Sequence, residues 1–237
     1  MGEFVSGLLS FPFLFVLGIG LVGGLVQGYT GWGAAMLMMP LMTLVYPPIE
    51  ALALLVVGGL LVSAQLYPSA IREFNWTDMR ILLLTLILLT PIGSIILLSI
   101  DPNLVRKIIG GFLVLVSVLA LSGWQYRGKR GAAAAFLFGG VAGIINGFAG
   151  LGSPILAIYI MAFPGQASTQ RSNLIVASGL IIFTIMIIFS LNGIMAWSLI
   201  LTGILLAPTQ MIGASIGARI FAYSPQEYFK KITLLII

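Results

Sequence analysis

Apolar runs fill almost the whole chain, and the breaks between them are short and either polar or rich in glycine. Reading runs against breaks predicts ten segments, at roughly 8–28, 31–47, 49–67, 80–100, 103–124, 132–147, 151–164, 168–190, 194–218 and 227 onward. A helix perpendicular to a bilayer needs about 20 residues to cross it. The second and seventh segments, GWGAAMLMMPLMTLVYP and LGSPILAIYIMAFP, fall short of that, and each directly follows a glycine-rich break, QGYTG or NGFAG. They read as half-helices that reach only mid-depth, or as spanning helices with a thinned end. The opening run, MGEFVSGLLSFPFLFVLGIG, lacks the basic start and small-residue cleavage site of a signal peptide, so it is expected to stay as the first membrane segment. Met1-Gly2 followed by Ser6 fits a myristoylation pattern only loosely and reads as coincidence.

The strongest internal signal is a repeat at an offset of 119 residues, which pairs GIGLVGGLVQGYTGWGAAMLMMPLM (18–42) with the stretch ending GGVAGIINGFAGLGSPILAIYIM at Met161. From Gly20/Gly139 to Met42/Met161, 8 of 23 pairs are identical, including Gly28/Gly147, Gly31/Gly150 and Gly33/Gly152, and Gln27/Asn146 and Tyr29/Phe148 are close substitutions. Farther on, LLVVGGL (54–60) lines up with LIVASGL (174–180), and Pro91 with Pro208. The chain therefore reads as two copies of one unit of about five segments, 1–125 and 126–237. In that alignment VRKIIGGFLVLVSVLALSGW (105–124) corresponds to FKKITLLII (229–237), so the tenth segment reads as unfinished, and the natural protein is expected to continue unless it has been trimmed.

Lys and Arg gather on the cytoplasmic side of membrane proteins, which distinguishes parallel from inverted units. Five side-changes per unit, or an opening half-depth hairpin of equal parity, put Arg72, Arg80, Arg127, Lys129, Arg130, Arg171, Arg219, Lys230 and Lys231 on one face and Arg106 and Lys107 on the other. If only the short second segment re-entered, the split would be five against six. The nine-to-two split favours an odd number of crossings, hence inverted units with the N-terminus outside.

Composition fixes the solvent. With 60% hydrophobic and 7% charged residues and a mean hydropathy of +1.17, a 237-residue chain has too little interior to hide its apolar side chains from water, whereas lipid can cover them. There is no His and no Cys, which removes the reagents for haem ligation, iron–sulfur clusters, the usual zinc sites and Cys or Ser–His nucleophiles. The acids are Glu3, Glu50, Glu73, Asp78, Asp101 and Glu227, each near a segment boundary, so the buried carboxylate pair of an aspartyl intramembrane protease is missing. No enzyme activity and no cofactor are expected. The net charge of +5 lies in short loops and reads as orientation rather than nucleic-acid binding.

In an inverted repeat, broken helices from the two halves face each other and offer their N-terminal amides to an anion. The second half-helices begin near Gly31-Trp32-Gly33-Ala34 and Gly150-Leu151-Gly152-Ser153. Gln27, Gly28, Tyr29, Thr30 and Trp32 at the first break, with Asn146, Gly147 and Ser153 at the second, complete the candidate substrate site. The rows Gly20-Gly24-Gly28 and Gly139-Gly143-Gly147 equally form small-xxx-small faces for close helix crossing, whereas the i+2 spacing of Gly31/Gly33 and Gly150/Gly152 points to a loop or helix start. Arg171, with Ser172 and Asn173, opens the eighth segment where the other unit has Ala51, Leu52 and Ala53; Arg171 fits either a positive-inside anchor or a cation that faces the cavity and draws anions. Gln210 follows Pro208 and Thr209 and either lines the path or bonds a neighbouring helix. Trp76, Trp124 and Trp197 read as interfacial belt residues, and Arg127, Lys129 and Arg130 as the linker between the halves.

Two halves that each run a glycine-rich stretch into a Pro-containing apolar segment, here QGYTGWGAAMLMMP and NGFAGLGSPIL, resemble the TauE/SafE sulfite exporters, a family of anion permeases, over essentially the whole chain. The first motif, ending GWGAA, is less glycine-rich than the family's usual runs. The resemblance implies transport of small sulfur-containing oxyanions, such as sulfite, thiosulfate, a sulfonate or sulfoacetate, across the inner (plasma) membrane. The expectation is thus an all-α integral membrane protein of two inverted-topology repeats with short broken or re-entrant helices, moving its anion by alternating access. Its partners would be that substrate and the lipid bilayer, with no nucleic acid; a homo-oligomer is compatible with the chain. A passive anion channel and a non-transporting membrane subunit are the rival readings.

Overall fold

The structure is a computed structural model and describes residues 11–122, 124 and 126–235. Among these residues there is no strand. The helices are α1 (Phe11–Thr30), α2 (Ala34–Met42), α3 (Pro48–Ala70), α4 (Trp76–Ser99), α5 (Pro102–Leu121), α6 (Ala132–Ala149), α7 (Ser153–Met161), α8 (Ala167–Leu191), α9 (Trp197–Tyr223) and α10 (Gln226–Leu235). Seven of them, all but α2, α7 and α10, are long and apolar enough to cross a membrane. The protein is an all-α, multi-pass membrane protein.

The predicted second and seventh segments shrink to nine residues each. At 1.5 Å per residue that is about 13 Å of helix against a hydrocarbon core of about 30 Å, so neither can cross as a helix. Both fold back on the helix before them. Met38 of α2 lies over Gly20 and Gly23 of α1, and Gly152 at the start of α7 sits on the Ala142 carbonyl of α6. The rest of the predicted second segment, 43–47, is a turn that leads to Pro47-Pro48, where proline suits a helix start because its missing N–H has no partner there anyway. Four prolines, Pro40, Pro68, Pro91 and Pro208, lie inside helices, as membrane helices tolerate when neighbours satisfy the freed carbonyls. The α4 start is fixed by a side-chain cap, with Asp78 N donating to Asn75 Oδ1 at 3.2 Å.

The two most extensive helix pairings are α1 with α9 and α4 with α6, so the first helix of each half packs on the fourth of the other. Small residues make this possible, because lipid offers no hydrophobic reward for association and close backbone packing must supply the attraction. Gly24 and Gly28 press on the backbones of Gln210 and Ala214, and Gly213 and Gly217 press back on Leu21 and Leu25. In the second pair, Gly139, Gly143 and Gly147 press on Leu82, Leu86 and Thr90, and Gly93 on Ile144. In both pairs residue numbers rise together along the contact, so the partners run parallel. At the centre α3 packs on α8, and each also packs on the fourth helix of the opposite half, α9 and α4 respectively. Leu84, Leu88, Val114, Val118, Phe136 and Leu191 face outward, where lipid would cover them. The linker between the halves is tied down by Arg130, which pairs with Asp78 and lies 4.6 Å over the Phe163 ring.

Candidate functional site

Each hairpin turns at a Gly-x-Gly break, and the two breaks are built differently. In the first, Gly31 and Gly33 take φ of 85° and 91°, left-handed values that favour glycine. The Gly31 amide donates to Gln27 O at 2.7 Å, and Thr30 Oγ1 accepts from Trp32 N at 3.2 Å while donating back to Val26 O at 2.8 Å. That leaves the Gly28 and Tyr29 carbonyls without a ladder partner, and Arg171 reaches both. Its Nε lies 3.1 Å from Gly28 O and 3.1 Å from Tyr29 O, its Nη2 lies 2.5 Å from Gly28 O, and its guanidinium sits 4.6 Å over the Phe221 ring. A cation at the C-terminal end of α1 also offsets the negative end of that helix.

In the second break only Gly150 is left-handed, at φ 72°. Its amide donates to Asn146 O at 2.7 Å, Ser94 Oγ donates to Gly147 O at 3.2 Å, and Gly152 N donates to Asn146 Oδ1 at 2.9 Å. Gly152 has an ordinary φ of −76°, and what requires glycine there is space: a Cβ would collide with Ala142 O and lie 2.5 Å from Asn146 Nδ2. With its oxygen holding the turn, Asn146 keeps its NH₂ free.

Between the hairpins lies a cavity of about 50 Å³. A buried water needs about 10–15 Å³ measured this way, so the space suits a few waters or one compact ion. Its polar lining is Gln27, Trp32, Asn146, Ser153, Ser178 and Gln210, with Gly33 and Gly150 from the breaks; the walls include Leu52, Leu55, Val56, Ile181, Ile182 and Ile185. Among the described residues, no lining residue is charged. Three lining atoms, Trp32 Nε1, Asn146 Nδ2 and Ser178 Oγ, are buried without a hydrogen-bond partner among the described residues. An unmade bond costs about 1–3 kcal/mol per buried group, so the three donors in one cavity are available to water or to a polar ligand. Both short helices start at this cavity. Their first intrahelical bonds are made by Met36 N and Ile155 N, which leaves the Ala34, Ala35 and Ser153 amides in the unpaired first turn.

Of the residues singled out in the sequence, Gln27, Trp32, Gly33, Asn146, Gly150, Ser153 and Gln210 come together around the cavity. The others lie elsewhere. Thr30 and Gly31 form the first turn, and Gly28 and Gly147 are helix-crossing contacts. Tyr29 packs its ring 6.0 Å from Phe221 and 6.3 Å from Phe229. Gly152 is covered by Ala142 and Asn146, Arg171 holds the end of α1, and Asn173 Oδ1 accepts from Asn75 N at 3.0 Å. Ser178 was not singled out. Its one signal is that it is the polar member of LIVASGL where the aligned LLVVGGL has none.

A family model described as "Sulfite exporter TauE/SafE" matches residues 16–237. No curated protein and no solved structure matches the chain.

Proposed function

The chain belongs to the TauE/SafE family of sulfite exporters and is a membrane transporter of that type; from this premise we propose that it binds a small sulfur oxyanion, such as sulfite or a small sulfonate, in the cavity between the two hairpin turns. The observation that carries this is the convergence of three unpartnered buried donors, Trp32 Nε1, Asn146 Nδ2 and Ser178 Oγ, with two helix starts in one small space. Unpaired amides at helix starts favour negative charge, and neutral donors in an apolar surround strengthen every hydrogen bond made to it.

We infer alternating access as the mechanism, with the halves inverted, the N-terminus outside and the inner membrane as location. The exchanged pairing of α1 with α9 and α4 with α6 supports two related units rocking about the central α3–α8 contact. Gly58 against Gln210 and Gln65 against Met211 and Ser215 put α3 parallel to α9 and hence to α1, which supports a second segment that returns the chain to the face it left; with that parity the nine-to-two charge split supports the orientation. Counterflow of radiolabelled sulfite in proteoliposomes tests the reading. Saturable counterflow is expected for the wild type, with loss of most of it in Asn146→Leu and Trp32→Phe while the protein stays monodisperse. Counterflow that is absent for sulfite and a small sulfonate alike, or that survives both substitutions, would overturn it.

A further inference from the structure

The positive complement of the cavity is small and can be counted. Each helix start brings at most about half a unit charge, so α2 and α7 together offer about one. The opposing negative helix ends at the same turns are already covered, α1 by Arg171 and α6 by Gly150 N and Ser94 Oγ. Everything else that lines the space among the described residues is neutral. Arg171, among the described residues the one buried cation beside the first turn, has Nε and Nη2 committed to carbonyls and its plane to Phe221. The carboxamides of Gln27 and Gln210 make no hydrogen bond through their side chains among the described residues, so each brings an acceptor oxygen as well as a donor. Gln210 lies flat against Gly58, where a Cβ would come within 2.7 Å of its Nε2.

Resting on the anion-transport reading, we propose that the cavity takes its oxyanion with a single negative charge, in the protonated form where the acid has one. A monoanion meets about one compensating charge there. A dianion would keep about one charge unpaired among Leu55, Val56, Ile181 and Ile182, and unpaired buried charge is strongly unfavourable. A hydroxyl on the anion would find an acceptor in Gln27 or Gln210, which a lining of donors alone would deny it. The proton then travels on the substrate, and no Asp, Glu or His in the lining has to carry it.

The test is competition against radiolabelled sulfite with the purified full chain in proteoliposomes, using methanesulfonate and sulfate, two anions of similar size that differ in charge. Methanesulfonate is expected to compete at least about tenfold better than sulfate at every pH, and the apparent affinity for sulfite to fall as pH rises through its second ionisation while that for methanesulfonate stays flat. In Gln210→Lys, with Gln210→Met as the neutral control, preference should move toward sulfate by about tenfold. Equal competition by the two anions, or sulfite affinity independent of pH, overturns the single-charge rule and leaves the anion site standing. Absence of saturable sulfite binding overturns both.

Discussion

The two hairpin turns start from nearly the same sequence and reach stability by different chemistry. QGYTGWG closes with two left-handed glycines and a buried arginine from α8, whereas NGFAGLG closes with one left-handed glycine and the side chains of Asn146 and Ser94. Arg171 stands against the first turn where Leu52 stands against the second, its Cδ1 3.0 Å from where a Cβ on Gly150 would lie. A full charge serves as a structural clamp in one half, and neutral donors are left for the cavity in the other. Two similar hairpins thus give the cavity an asymmetric lining, with the indole N–H from the first and the free carboxamide NH₂ from the second.

The largest effect is expected at the clamp. Arg171→Met leaves the Gly28 and Tyr29 carbonyls unpaired in the interior and should cost about 3–5 kcal/mol, read as a lower melting temperature in detergent. Ser94→Ala, at the equivalent end of the second hairpin, should cost only about 1 kcal/mol. Equal losses would show the two clamps to be equivalent and break the comparison.

Next comes Asn146→Leu, which removes a donor from the cavity and frees Gly152 N as well; apparent affinity for sulfite should fall by about 10–100-fold. The glycines sharpen the contrast further. At Gly31, with φ 85°, Asn should be tolerated better than Val by about 1 kcal/mol, because Asn visits the left-handed region and β-branched residues do not. At Gly152, with φ −76°, Asn should have no such advantage, since both side chains meet the same collision with Ala142 O. Melting temperatures of the four variants decide this. The smallest effect is expected for Ser178→Ala, about two- to tenfold in sulfite affinity, the worth of one neutral hydrogen bond.

Much of this was legible in the sequence because membrane helices announce themselves locally. Apolar runs locate the helices, and the i+2 glycines at 31/33 and 150/152 mark where the chain must turn. Gln27, Trp32 and Asn146 were legible for the same reason, since polar groups next to a break in an apolar run have few other uses. What escaped depends on partners far along the chain. That Arg171 would reach Gly28, 143 residues away, follows from the packing of α8 beside the first hairpin and from nothing local. Tyr29 looked like a site residue by adjacency, yet its ring is taken up by Phe221 and Phe229. The apolar run outlasts the second helix, because TLVYP remains apolar after the helix has stopped at Met42. Ser178 hides in a small-residue helix face, where a serine usually serves packing.

The central claim is that the anion sits between the hairpins, and Trp32 offers a direct view of that place. The other three tryptophans, Trp76, Trp124 and Trp197, are exposed, so replacing them with Phe leaves Trp32 as the sole reporter. Titration of sulfite into this variant is predicted to give a saturable change in Trp32 emission, shifted to at least about tenfold higher concentration when Asn146→Leu is added. An emission spectrum indifferent to sulfite while counterflow persists, or a titration unmoved by Asn146→Leu, would contradict it.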